Sequence, residues 1–327
     1  MSASIAKGQR EGRVLVYGTV EPNEFEGWGK AFEKKYPGIE VEFQRKYVPG
    51  TPPPMAKSIM EESSAGKETA DAVIVAVPPL LQFKGLNLLE SVKLKEAAAY
   101  PPSVRQPEGY WFPLVSIPMV QVYNPQAVSE DDLPKTAMDL VDPRWKGELV
   151  SHDLTVGTLG AYWLASLRPV FGEAKYQKFV KGLAENDLKL YPLYDSVVDS
   201  VTSDETKIAL TVLLHDYLKA KKAKRSIERL RLKDVPLMMT YNAIAKTRAG
   251  SHPEATKLLM EYLLSKEGQK LVGSTYLRIP VREGTGATYS LEKFIGKEWF
   301  TVYPNKEMEP TQADSIASMA KVFRRAK

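Results

Sequence analysis

The sequence predicts an α/β protein of two lobes, each a mostly parallel sheet with flanking helices. Three observations carry that prediction. The chain has 327 residues, too long for one ordinary domain and suited to two. Short apolar runs rich in β-formers alternate with segments of helical periodicity, the pattern of sheets covered on both faces. Two apolar extended stretches, Trp111–Tyr123 and Val235–Thr240, are spaced to carry the chain from one lobe to the other and back. The lobes expected from this are 13–117 with 241–327, and 124–234, with hinge crossings at 118–123 and 235–240.

Arg13-Val-Leu-Val-Tyr17, ending at Gly18, reads as a buried parallel strand. A helix follows from Asn23, with Phe25, Trp28, Phe32 and Tyr36 on one face and Asn23 with Glu26 as a capping pair. Pro37-Gly38 stops it, and Ile39–Phe43 alternates with period two as the next strand. Such a β-α-β unit has a right-handed crossover and parallel strands. Met55–Ser64 reads as a helix after a proline-rich turn, and Ala72–Val77 as a buried strand before Pro78-Pro79. Trp111–Tyr123 is β-rich and broken by Pro113 and Pro118. Asp139–Lys146 reads as a short helix and Glu148–Val150 as a strand. Thr155 then opens a helix containing Tyr162, Trp163, Leu164 and Leu167. Lys175–Leu183 is helical and Leu188–Tyr191 extended. His252-Pro253-Glu254 starts a helix with proline at its first position, and Ser265 starts another through Leu271. A last amphipathic helix runs from Glu309, with Ile316, Met319 and Phe323 on one side.

Hydrophobic residues at 43% and charged residues at 26% are a normal globular balance, so each lobe has material for a core. A net charge of +5 is mild for this length; it leans toward an anionic ligand. The basic run Lys219–Arg225 has no interleaved aromatics and reads as a solvated helix end, so no nucleic-acid partner is expected. The chain has no cysteine, which excludes disulfides, thiolate nucleophiles and Cys-based metal sites. No apolar stretch approaches the roughly 20 residues of a membrane helix. The first ten residues hold no apolar leader core, leaving either a cytoplasmic protein or one whose leader has been removed.

No Gly-x-Ser-x-Gly elbow, P-loop or His-Glu-x-x-His is present, and no Gly-x-Gly-x-x-Gly follows the first strand. The three histidines, His152, His215 and His252, are scattered; His152-Asp153 has no serine to make a triad, and His252 before Pro253 reads as a cap. No catalysis and no cofactor are expected. In open α/β sheets ligands lie at the carboxyl ends of the strands, which directs attention to Tyr17-Gly-Thr19, to Val77 onward and to the residues after Val150. Ser196, in a loop meeting a helix from Val197, adds a hydroxyl, and Tyr241 follows the return crossing at the hinge mouth.

Several segments carry a resemblance. They are Leu15-Val-Tyr-Gly18, Phe32-Glu-Lys-Lys-Tyr-Pro-Gly-Ile-Glu-Val41, Thr69-Ala-Asp-Ala72, Leu133-Pro-Lys-Thr136, Asp139-Leu-Val-Asp-Pro-Arg-Trp-Lys-Gly147, Leu264-Ser-Lys-Glu-Gly-Gln269 and Ile279-Pro-Val-Arg282. In this order and spacing the chain resembles the type II solute-binding proteins of ABC importers, in the ferric-iron-binding branch. The resemblance implies a two-lobed periplasmic-binding-protein fold, a monomer closing by hinge motion, a membrane permease as partner and a periplasmic or extracellular location. It also implies that a ligating tyrosine pair falls at Leu214-His215-Asp216-Tyr217, where only Tyr217 matches and Asp216 replaces the first tyrosine. First-lobe ligand positions fall near Val20 and Ala76, which bind no metal; Asp216 and Tyr217 are metal candidates only for an iron-like site. Many relatives bind an anion at the helix opening that here is Asp153–Thr158, where Thr155 is the cap candidate and the N–H groups of Val156, Gly157 and Thr158 face the ligand.

The reading is therefore a solute-binding protein for a small oxyanion, phosphonate or carboxylate. Tyr17 and Thr19 would act from lobe one, Gly157, Thr158, Ser196, Asp216 and Tyr217 from lobe two, and Tyr241 at the hinge. An Fe(III) or Fe(III)–anion binding protein is the alternative. A transferase on the same fold, as in porphobilinogen deaminases, would need a cysteine for its cofactor, and a ligand-sensing domain lacks an attached helix-turn-helix.

Overall fold

A computed structural model of the chain describes residues 2–46, 55–155, 159–274, 277–288, 301–302 and 309–325. These fall into two compact units, with unit 1 holding the chain up to Ser116 and again from Thr240, and unit 2 holding Ile117–Met239 and the chain from Glu298 on.

In unit 1, helix α1 (Ser2–Glu11) precedes β1 (Arg13–Gly18), α2 (Pro22–Lys35), β2 (Glu40–Arg45), α3 (Met55–Ser64), β3 (Ala72–Ala76), α4 (Val77–Gly85) and β4 (Phe112–Tyr123), whose second half lies in unit 2. The central strand β1 runs parallel to β2 and to β3. Phe25, Trp28 and Phe32 bury the inner face of α2, as their spacing predicts. The predicted Asn23–Glu26 capping pair does not form. The N-cap is Glu21, with Pro22 supplying the preset φ of a first turn, and Glu26 reaches forward to Lys30 instead. Two residues of α2's exit hold the turn into β2: Gly38 takes φ +90°, and Glu33 Oε1 accepts the Val41 N–H at 2.9 Å.

Helix α1 has no strong sequence signal, since Gly8 interrupts it. Tertiary contact makes it: the Glu11 carboxylate accepts from the Glu254 and Ala255 N–H groups at 3.2 and 2.7 Å. Val77-Pro-Pro likewise turns out to start a helix, because proline is tolerated in a first turn. Pro113 and Pro118 do not break β4, which is one twelve-residue strand. Its pairing with three of its neighbouring strands uses Val115, Ser116 and Met119–Tyr123, leaving both prolines outside those three registers.

In unit 2, β5 (Leu149–His152) is followed by α5 (Leu159–Ser166), α6 (Arg168–Phe171), α7 (Glu173–Glu185), β6 (Lys189–Tyr191), α8 (Tyr194–Thr202), β7 (Ile208–Leu213), α9 (Leu214–Lys222) and β8 (Glu228–Leu230). Strand β5 is parallel to both β6 and β7, and β4 is antiparallel to β7 and β8. The segment predicted as a helix at Asp139–Lys146 is two 3₁₀ turns, Ala137–Val141 and Pro143–Trp145, because Pro143 cannot continue an α-helix.

Strand β9 (Leu237–Lys246) returns the chain to unit 1 and pairs antiparallel with β3, from Ala72↔Lys246 to Ala76↔Asn242. The sheets are thus parallel at their centres and mixed where the crossing strands join. Helices α10 (Pro253–Leu264) and α11 (Lys266–Ser274) and strand β10 (Ile279–Pro280), antiparallel to β4, complete unit 1. Strand β11 (Thr301–Val302) pairs with Leu237 and Met238 of β9. The C-terminal helix Glu309–Arg325 corrects the expectation that 241–327 belongs whole to lobe one. Met319 and Phe323 lie in the unit 2 core with Trp163, Phe179 and Leu183, and Arg168 donates to Ser315 Oγ at 3.2 Å. Its apolar face was legible; the core that receives it was not.

Candidate functional site

Parallel strands present their carboxyl ends at one edge of each unit. In unit 1 that edge carries the ends of β1, β2 and β3, at Gly18, Arg45 and Ala76. Tyr17 is buried there, with its hydroxyl donating to Glu62 Oε2 at 2.9 Å. The same oxygen accepts from Thr69 Oγ1 at 2.6 Å. Lys46 Nζ sits 4.5 Å from the Tyr17 ring centroid and 3.9 Å from Glu62 Oε1. Burial, then the hydrogen bond and charge of Glu62, push the Tyr17 hydroxyl up to about 12, so it stays a phenol at neutral pH. Thr19 N–H is spent on Ile74 O at 3.1 Å. Gly18 between them is required by packing: a Cβ there would stand 2.6 Å from the Phe43 ring. Glu62 and Lys46 were missed by sequence reasoning, since neither lies in a motif and only the fold brings α3 and the end of β2 to Tyr17.

In unit 2 the edge carries the ends of β5, β6 and β7, at His152, Tyr191 and Leu213. The chain leaves β5 through Asp153, whose Oδ1 accepts from both N and Oγ1 of Thr155, at 2.8 and 2.7 Å. These two bonds make a tight turn at Thr155; α5 is described from Leu159. Val156, Gly157 and Thr158, the anion contacts expected from sequence, lie outside the described residues. Ser196 is not in a loop: it is the third residue of α8 and half-buried. Tyr241 lies buried inside β9 rather than after it.

Asp216 and Tyr217 diverge, as neighbours about 100° apart on a helix must. The Asp216 carboxylate lies 3.4 Å from His215 Nε2 and 3.4 Å from Lys219 Nζ. It faces a cavity of about 230 Å³ lined by Asp195, Val198, Ala220, Ala223 and Arg225. The Tyr217 hydroxyl points to β8, 3.4 Å from Glu228 Oε2; burial first, then the Glu228 charge, raises it above the usual phenol range. The two therefore do not form one ligand set. Among the described residues, no group of three or more His, Asp or Glu side chains is placed to hold a metal ion.

His152 is the unexpected member of this edge. Its backbone is satisfied, with N–H donating to Thr211 Oγ1 at 2.8 Å and O accepting from Ser151 Oγ at 3.0 Å. Its ring is buried and stacked on Tyr194, centroids 4.0 Å apart and planes at 12°. Neither ring nitrogen has a hydrogen-bond partner among the described residues. Burial lowers the imidazole to about 4, opposed by the Pro192 and Asp153 main chain and the Asp153 charge. Between pH 6.5 and about 4 the unfolded chain therefore binds a proton the native state refuses, so stability falls as pH falls through that window. The loss attributable to this residue is about 3 kcal/mol at most. Acid titration of urea stability, wild type against His152→Phe, isolates it: the curves should diverge below about pH 6.5, and parallel curves would refute the assignment.

Comparison with known proteins decides what this scaffold is. Residues 67–299 match the model of a family described as bacterial extracellular solute-binding protein. The chain belongs to that family. It is accordingly a non-enzymatic transport component working in the periplasm or outside the cell, the solute-binding part of an ABC importer. None of the helices among the described residues is long and apolar enough to cross a membrane. The family member is 26% identical over 249 residues to the major ferric iron-binding protein of Neisseria meningitidis, covering 73% of each chain. Its fold matches iron-bound HitA from Pseudomonas aeruginosa with a TM-score of 0.75 and 23% identity, covering 96% of this chain and 99% of that one. It also matches AfuA from Actinobacillus pleuropneumoniae, solved with fructose-6-phosphate, with a TM-score of 0.74 and 21% identity over 97% and 98% of the chains. The signature segments now have physical roles. Asp71 of Thr69-Ala-Asp-Ala72 accepts from Leu15 N, His252 N and His252 Nδ1 at 2.8, 2.9 and 2.9 Å. His252 is thus at the N-cap position of α10, but its side chain pins Asp71 instead of capping.

Proposed function

We propose that the solute is ferric iron carried together with an oxyanion, with Tyr217 giving a phenolate oxygen from unit 2. The observation that carries this is the Tyr217 hydroxyl itself: buried, at the carboxyl edge of unit 2, and held by a bond of only 3.4 Å to Glu228. It occupies the position where the resemblance puts a ligating tyrosine. Fe(III) is a hard cation that prefers oxygen donors, and it would displace a proton that burial otherwise keeps on the phenol. With Asp216 turned toward Lys219, one phenolate is too few oxygens for Fe(III), and an oxyanion would complete the set. The ferric names of the relatives support the same order of preference, which reverses the order read from sequence.

The test is titration of the full chain with Fe(III) in the presence of phosphate or citrate, read by the visible charge-transfer band of an iron–tyrosinate. Tyr217→Phe should abolish the band and weaken iron binding by about 100-fold. Iron binding unchanged in Tyr217→Phe would sink the proposal. An oxyanion bound without iron is the second reading, favoured by the +5 charge and by the likeness to a protein solved with a sugar phosphate. It takes the lead if phosphate binds calorimetrically while iron does not.

A further inference from the structure

The positive charge of the chain is concentrated in one stretch of unit 2. Residues 219–233 hold eight Lys and Arg side chains and two carboxylate-free turns around a single acid, Glu228, a formal +7 against +5 for the whole protein. The remainder of the chain is therefore slightly acidic. Five of the eight cations belong to the solvated helix end Lys219–Arg225; the fold sets the other three beside it. Lys221, in the last turn of α9, pairs with Glu228 of β8, and the Tyr217 hydroxyl lies 3.4 Å from the same carboxylate, so helix end and strand are neighbours. From β8 onward Arg229, Arg231 and Lys233 are exposed at every second residue, with Leu230 and Leu232 buried between them. Lys219 lies 3.4 Å from Asp216, and Arg225 donates to Asp199 at 2.6 Å. Lys222, Lys224 and Lys233 are exposed and have no carboxylate partner among the described residues.

We propose that this basic face of unit 2 binds an anionic lipid surface, that of the membrane carrying the importer's permease. Three features choose lipid. The protein is the solute-binding part of an ABC importer, so a membrane is where it delivers its solute. The face is charged and little else: Ile227, Leu230 and Leu232 are buried, and no exposed large hydrophobic side chain of the described residues falls within 219–233. A protein interface is built on a desolvated core of aromatic and apolar anchors, whereas lipid phosphates are held by long side chains whose charged heads stay in water. No aromatic ring stands among the cations for a nucleic-acid base to stack on. Each Lys or Arg close to an anionic membrane strengthens binding about fivefold. Salt screens the attraction over a Debye length of about 10 Å at 0.1 M, so it holds the protein loosely and lets it move along the membrane. The effect is a raised concentration of binding protein at the permease, with no new contact to the permease itself. It holds whichever solute is carried.

The experiment is cosedimentation of the full chain with vesicles of phosphatidylcholine alone and of phosphatidylcholine with phosphatidylglycerol, at low salt and with about 0.5 M NaCl added. Wild type should bind the phosphatidylglycerol vesicles at low salt, release them in NaCl and ignore the neutral vesicles. The triple variant Lys222→Gln, Lys224→Gln, Lys233→Gln removes only cations that hold no ion pair, so its melting temperature should match wild type. Its binding to the anionic vesicles should fall about 100-fold. A control that removes three exposed lysines of unit 1, Lys7→Gln, Lys67→Gln, Lys257→Gln, loses the same net charge and should bind the vesicles nearly as wild type does. Equal losses in the two triple variants would mean that net charge rather than this face is responsible, and would overturn the proposal. So would wild-type binding that is absent, or that is the same on neutral and anionic vesicles; an acidic protein surface would then be the partner left for these cations.

Discussion

Replacing Glu24 by Ala is expected to destabilise unit 1 by about 3–5 kcal/mol. Glu24 lies in the first turn of α2 at 1% exposure and receives Arg278 Nε at 2.6 Å and NH2 at 2.9 Å, a two-pronged contact that joins α2 to the approach of β10. The pair as a whole need add little, because two ions leaving water cost about what their attraction returns. Removing one partner is different: the Arg278 guanidinium, itself 6% exposed, stays buried without its counter-charge. The double replacement Glu24→Met with Arg278→Met should therefore cost much less than Glu24→Ala alone. Urea unfolding of the three proteins checks this. A loss below about 1 kcal/mol for Glu24→Ala would show that water or another group reaches Arg278.

Gly268→Ala is the second large effect, expected at about 3 kcal/mol despite the better helix propensity of alanine, which returns only about 1 kcal/mol. A Cβ at position 268 would stand 2.1 Å from Tyr262 O and 2.8 Å from Leu263 Cα, and both are backbone, so the last turn of α10 or the whole of α11 must move. Movement there pulls on Gln269, which is fully buried and makes four bonds. Its Nε2 donates to Leu114 O and Leu263 O, both at 3.0 Å, and its Oε1 accepts from Val281 N at 3.0 Å and Arg282 N at 3.2 Å. Thermal unfolding of Gly268→Ala beside Glu267→Ala, an exposed neighbour paired with Lys35, gives the contrast. Equal melting temperatures for the two would mean that the close approach is not rigid.

Gly268 and Gln269 also explain why the family was legible. The recognisable segments are scaffold. Leu264-Ser-Lys-Glu-Gly-Gln269 is the joint between α10 and α11, with Ser265 Oγ accepting the Gly268 N–H at 3.1 Å. Asp142-Pro-Arg-Trp-Lys-Gly147 is a turn in which Asp142 Oδ1 accepts from Arg144 N at 2.9 Å, Arg144 lies over the Trp145 ring and Gly147 takes φ +76°. Such joints need particular residues at fixed spacing because a few atoms must meet within one or two turns of chain, and local requirements are written locally. The ligand-facing edge has no such constraint. Tyr17 was found because it ends a strand; Glu62, 45 residues away, is its partner only after α3 is laid across the sheet. Asp216 and Tyr217 were adjacent in sequence and separated by helix geometry, one toward Lys219 and the other toward Glu228.

By itself, then, the sequence determined the alternation of strands and helices, the long crossing segments and the family. These follow from periodicity and from turn chemistry that acts over a few residues. Only the tertiary structure decided that the C-terminal helix completes the core of unit 2, that α1 forms at all, and that His152 at the end of β5 is buried with its ring stacked on Tyr194. Each of these depends on what an element meets across the fold: an apolar face is the same whichever core receives it, and a histidine is neutral or charged, bonded or bare, according to neighbours that the chain brings from far along its length.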